Sequence, residues 1–152
     1  MSNISMTTSK RNAIVTVMLI SAFVSMLNQT ILNTALPAII KGLNITETTA
    51  QWLITGFMLV NGIMIPLTAF LMDKYSTRHL YIFSMAIFLI GSVVAAVSPT
   101  FSILMISRII QAIGAGILLP LMQFTVFTLF PAEQRGFAMG LAGVVVQSAP
   151  AI

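Results

Sequence analysis

The segment "RIIQAIGAGILLP" begins with Arg108, the only charged side chain between Phe101 and Phe130. A guanidinium inside a bilayer costs about 2.5–3.5 kcal/mol on insertion scales, so such a residue must meet polar partners, water or a substrate. Gln111 follows three positions later and shares its helix face. Gly114, Ala115 and Gly116 let a neighbouring backbone come close, which directs Arg108 inward. A second polar group lies in "SAFVSMLNQTILNTALP". At 100° per residue Ser21, Ser25, Asn28, Gln29 and Asn33 fall within one arc, while Phe23, Leu27 and Ile31 lie largely elsewhere. That stripe must face other helices or a water-filled path. The third group, Asp73, Lys74 and Arg78, belongs to "FLMDKYSTRHLY". Asp73 ends a helix, where the macrodipole disfavours an anion, so it calls for a cationic or helix-N-terminal partner, and Arg78 is the local candidate.

These groups suit recognition and charge coupling better than catalysis. No His, Cys, Asp or Glu lies within an apolar run, and Glu47, Asp73 and Glu133 all sit in the breaks between runs. An enzyme finds no base or nucleophile here, and no metal ligand set or cofactor site is evident. Each group also has a purely structural reading. Asn and Gln glue membrane helices together, Arg108 could be a structural ion pair or bond to carbonyls, and Lys74, Arg78 and His79 could simply anchor a cytoplasmic loop.

The elements that carry these residues are membrane spans. Hydrophobic residues make up 58% of the 152 and charged ones 7%, against roughly 25% charged in a soluble domain. The apolar residues fall in blocks near the roughly 20 needed to cross a bilayer as a helix. Breaks at Lys10-Arg11, "PAIIKGLNITETTAQ", "MDKYSTRH", "SPT" and "PAEQRG" leave spans near 13–36, 51–72, 80–97, 101–129 and 136–152. The expected fold is therefore an all-α integral membrane bundle of about five helices. Pro37 is expected to end or kink the first. Lys10-Arg11 and the apolar run after them could also open a signal peptide, but the polar "NQT" stands where a small-residue cleavage site should be.

With a cytoplasmic N-terminus, Lys10, Arg11, Lys74, Arg78 and Arg135 lie inside and Lys41 alone outside, as the positive-inside rule requires. The formal charge of +4 sits beside apolar runs and gives no reason to invoke nucleic acid. Without cysteine there is no disulfide framework. Gly136-x-x-x-Gly140 is a close-packing pattern, and Tyr75 and Tyr81 fit the inner interface. "VVVQSAPAI" ends in mid-helix without a polar flank, the expected look of the N-terminal part of a longer protein.

Together these patterns resemble the major facilitator superfamily, in particular its drug:proton antiporter branch with fourteen helices. The family's loop motif G-x-L-a-D-r-x-G-r-k is similar to Ala69, Leu71, Asp73, Lys74, Ser76, Thr77 and Arg78, with both glycines replaced. Its helix 4 motif R-x-x-Q-G-x-G-a resembles Arg108, Gln111, Ala112, Gly114 and Ala115. The helix 1 signature L-D-x-T-i-v-N-v-A-L-P resembles Leu27, Asn28, Thr30, Asn33, Ala35, Leu36 and Pro37, with an amide in place of the acid. "GLAGVVVQSAP", containing Gly140, Gly143 and Pro150, resembles the front of the helix 5 antiporter motif.

The resemblance implies a secondary exporter of drugs or other amphipathic molecules, by proton antiport and alternating access, in a multi-pass bacterial cell membrane. It implies a substrate and proton pathway at Asn28, Gln29, Asn33, Arg108 and Gln111, and a conformational gating loop at Asp73, Lys74 and Arg78. Helix packing would fall to Gly114, Gly116, Gly136, Gly140, Gly143 and Pro150. Its partners would be the lipid bilayer, an amphipathic small molecule, protons and the remainder of its own chain. The alternative is a non-transporting scaffold or sensor that keeps the bundle, which the amide at Asn28 would suit.

Overall fold

A computed structural model describes residues 7–151. The described residues fold into five α-helices: α1 (Thr8–Leu43), α2 (Glu47–Lys74), α3 (Thr77–Ala96), α4 (Phe101–Leu129) and α5 (Ala132–Gln147), closed by a short 3-10 turn over Ala149–Ala151. Four of them, α1 to α4, are long and apolar enough to cross a membrane. α5 has 16 residues, about 24 Å at about 1.5 Å per residue, which is less than the hydrocarbon thickness of about 30 Å. Its end falls where Ser148 and Pro150 replace the apolar run, and the sequence expectation of a span to 152 reaches one residue beyond the described part.

Local chemistry explains the helix ends. Thr46 caps α2, its hydroxyl accepting from the Thr49 amide at 3.2 Å, with Glu47 in the first turn where the dipole favours an acid. Thr100 caps α4 from the same position. α1 stops at Asn44, whose left-handed backbone (φ 51°) lets its amide reach back to Ile40. Pro37 does not end α1, and α2 and α4 likewise run through Pro66 and Pro120. In a membrane, leaving the helix would strand more backbone groups than a single proline does.

α4 is the centre of the bundle. Of its most apolar window 56% is buried, against 28% for α1 and α2 and 22% for α3. Small residues bring its neighbours close. A methyl group at Gly114 would lie 2.7 Å from the Ser84 carbonyl of α3, and one at Gly91 would lie 2.9 Å from the Gln111 backbone nitrogen. On the other side Gly116 admits Met64 and Asn61 of α2, and the Thr68 hydroxyl donates to the Gly116 carbonyl at 3.3 Å. Met18, Ala22, Met64, Ile117 and Leu121 form the larger apolar core, and Phe57, Phe88, Ala112 and Ala115 a second. Many large apolar side chains, among them Val17, Ile31, Leu59, Ile63 and Leu89, are exposed, as suits contact with hydrocarbon.

Gly114 and Gly116 thus lie against α3 and α2 respectively. A methyl at Gly136, Gly140 or Gly143 would meet nothing within 4 Å among the described residues. A small-residue pattern permits a close neighbour without supplying one.

Candidate functional site

Arg108 is 1% exposed, among the largest buried side chains described. Its Nη1 donates to Gln111 Oε1 at 2.7 Å and to Asn28 Oδ1 at 3.2 Å. Gln111 in turn donates from Nε2 to the Ser92 hydroxyl at 3.2 Å, and Ser92 donates to the Phe88 carbonyl at 2.8 Å. One polar chain therefore runs from α1 through α4 to α3. From α2, the Phe57 ring stacks on the guanidinium with its centroid 4.3 Å from Cζ, a cation–π contact in a desolvated setting. The remaining nitrogens, Nε and Nη2, are buried without a hydrogen-bond partner. This arrangement offsets part of the insertion cost of the charge and leaves unused donors at its centre.

Two cavities flank α1 where it faces α3 and α4. One, about 530 Å³, is lined by Asn28, Leu32, Ser92, Leu104 and Gln111, so the polar chain forms part of its wall. The other, about 630 Å³, lies toward the opposite end of the same helices and is lined by Ala13, Val17, Arg78, Tyr81, Phe124 and Thr128. Along α1 between the residues of these two linings, Ser21 bonds the Tyr81 hydroxyl.

Of the residues singled out in the sequence, the structure joins Asn28, Arg108 and Gln111. Ser21 and Ser25 are buried on the same helix, whereas Gln29 is half-buried and Asn33 exposed. The loop residues Asp73, Lys74 and Arg78 are all exposed, and Asp73 and Arg78 form no ion pair among the described residues. Only Tyr75 and Ser76 separate α2 from α3. Arg78, in the first turn of α3, lines the cavity against α1 and α4, and Lys74 lies over Phe70 on its own helix at 5.3 Å. The Tyr81 hydroxyl is tied to Ser21. Near the same end, Arg11 stacks on Phe130 at 4.5 Å and Arg135 on Phe127 at 4.6 Å, fastening α1 and the α4–α5 link.

Three residues that pack against α4 were not singled out from sequence, Ser92 and Phe57 in the site and Asn61 apart from it. Ser92 and Asn61 are polar residues inside apolar runs, a signal that was present. Asn61 Oδ1 is buried without a partner at the α2–α4 contact, beside Gly116. Phe57 gave no signal, since one aromatic residue among many apolar ones does not announce a stacked cation. Among the described residues no cluster of His, Cys, Asp or Glu could hold a metal ion.

The family model described as Major Facilitator Superfamily matches residues 18–152, nearly the whole chain. The chain belongs to that superfamily. An uncharacterized MFS-type transporter, YcnB, of Bacillus subtilis (strain 168) is 54% identical over 142 residues, covering 93% of this chain and 30% of that protein. The lincomycin resistance protein LmrB of the same organism is 45% identical over 135 residues, covering 89% and 28%. The probable multidrug resistance protein EmrY of Escherichia coli (strain K12) is 34% identical over 131 residues, covering 86% and 26%. The chain thus spans less than a third of these curated relatives. Membership of the superfamily, relatives from bacteria and four long apolar helices make it a multi-pass bacterial membrane protein of a transporter family.

Proposed function

We propose that this chain is part of a secondary active transporter that exports amphipathic small molecules by alternating access, driven by proton antiport, and that it is not an enzyme. The observation that supports this best is the buried Arg108, held by Asn28 of α1 and Gln111 of α4 beside a cavity. Transporters place substrate and ion sites at polar groups deep in a helical bundle. The resistance proteins named above add a reason to favour drug-like cargo.

Asn28 bears on the coupling. An amide exchanges no proton near neutral pH, and Glu47, Asp73 and Glu133, the only acidic side chains of the chain, are all exposed. The coupling carboxylate therefore belongs to the remainder of the protein, and recognition of cations is weaker than in relatives that keep an acid at this position. The N-terminus and the loops at Ser76 and Pro131 are cytoplasmic, and Asn44–Thr46 and the α3–α4 link are outside.

Reconstituted full-length protein should move labelled lincomycin against its concentration only while a proton gradient is imposed, and collapse of the gradient should stop it. No gradient-dependent movement of this or any other amphipathic probe would leave the scaffold reading in its place. Single cysteines at Thr46 and Ser76 should react with an impermeant thiol reagent from outside and inside respectively. The reverse labelling would overturn the orientation.

A further inference from the structure

Arg108 has N–H groups on three nitrogens, and the described contacts use one of the three. The two hydrogens of Nη1 go to Asn28 and Gln111, while Nε and Nη2 have no partner. Those two nitrogens form one edge of the guanidinium, the edge whose parallel donors match the two oxygens of a carboxylate. Phe57 holds the flat face and offers no acceptor to the edge. Among the described residues nothing neutralises the charge, because the three acidic side chains lie exposed at or beside helix ends and the polar groups around Arg108 are amides and a hydroxyl.

The cavity of about 530 Å³ adjoins the residues that hold Nη1, on the other side of the guanidinium from the free edge, and has a definite chemistry. Asn28, Gln111 and Ser92, the residues of the polar chain, line one part of it, and Leu32, Ala95 and Leu104 line another. A solute there would rest an apolar body on apolar walls within reach of the groups that hold Arg108. Both free nitrogens are covered in this arrangement, so an anion reaches them as α1 or Phe57 shifts.

We propose that the Nε–Nη2 edge of Arg108 receives the carboxylate of an organic anion with an apolar body, and that such anions are among the substrates of this site. The inference rests on the transporter reading given above. The same edge chemistry could be met by an Asp or Glu side chain from the remainder of the protein, and the experiment separates the two sources.

Binding of radiolabelled 4-phenylbutyrate to the full-length protein is measured at neutral pH without any gradient, in competition with 4-phenylbutanol and 4-phenylbutylammonium. The two competitors should be at least about tenfold weaker than unlabelled phenylbutyrate, since they lack the charged, two-oxygen acceptor. Arg108→Gln should abolish that preference. Asn28→Asp, which sets an anion beside Nη1, should weaken phenylbutyrate at least about fivefold while the thermal midpoint stays unchanged. Equal competition by all three compounds in the wild-type protein, or a preference that survives Arg108→Gln, overturns the proposal. So does a preference that appears only after an acidic residue elsewhere in the protein is changed to its amide, which would mean that a side chain fills the edge. Preferential binding without transport of any probe supports the site and sinks the transporter reading, whereas transport without preference sinks the site alone.

Discussion

α2 and α3 meet α4 in a different manner from α1. Against α3, α4 presents Gly114 so close to backbone that no side chain fits between, and against α2 it presents Gly116 to the side chains of Met64 and Asn61, with the polar bond from Thr68 supplementing this contact. Against α1 it presents Arg108 bonded to Asn28, with a cavity on each side of the shared core of Met18, Ala22 and Ile117. Close backbone packing has one good distance, whereas a long arginine bonded to an amide tolerates a change of angle. The α2–α4–α3 trio is therefore the stiff frame, and the α1 contact is where a rocking motion would cost least.

That contrast can be broken at the frame first, where the largest effect is expected. Gly114→Leu puts a side chain where the Ser84 carbonyl lies 2.7 Å away, so α3 must move off. Overpacking of this kind costs about 1–3 kcal/mol or more, and the thermal midpoint of the full-length protein in detergent should fall sharply, with much of the protein lost on expression. Gly140→Ala, whose added methyl meets nothing within 4 Å among the described residues, should leave the midpoint nearly unchanged. A comparable loss in the two variants would show that the glycine contacts do not set the frame. A smaller effect is expected at Thr68→Val, which removes the hydroxyl's bond to the Met64 carbonyl of its own helix at 2.7 Å and its longer contact with the Gly116 carbonyl at 3.3 Å while keeping the shape. Interhelical hydrogen bonds in membranes average about 0.6 kcal/mol, so a shift of only a few degrees should appear, with transport preserved.

Much of this was legible in the sequence, and the exceptions have physical causes. Arg108 and Gln111 were readable as a pair because a spacing of three fixes a common helix face, and the α4 glycines beside them pointed to close packing. The polar arc of α1 was readable as an arc but not turn by turn. Angular position repeats along a 36-residue helix, so it cannot say that Asn28 meets α4 while Asn33, little more than a turn later, is exposed. The pairing of Asp73 with Arg78 failed for a related reason, because nearness in a short loop does not decide which way a first-turn side chain leaves its helix. Of the two outcomes expected at Pro37, an end to the helix does not occur, since the rule that proline ends helices assumes that water can take up the freed carbonyl. Ser92 and Phe57 join the site only through the crossing of α2, α3 and α4, and no local spacing encodes where helices cross.

The central claim is that Arg108 serves transport and is not merely a costly strut of the bundle. In the full-length protein, Arg108→Ala removes the charge and the bonds to Asn28 and Gln111, and Arg108→Lys keeps the charge without the planar donor fork. Gradient-driven transport by purified, reconstituted protein, normalised to the amount inserted, is the direct measurement. Arg108→Ala is expected to insert at wild-type levels and to lose transport at least about a hundredfold, and Arg108→Lys to recover part of it. Wild-type transport rates from well-inserted Arg108→Ala protein would contradict the claim.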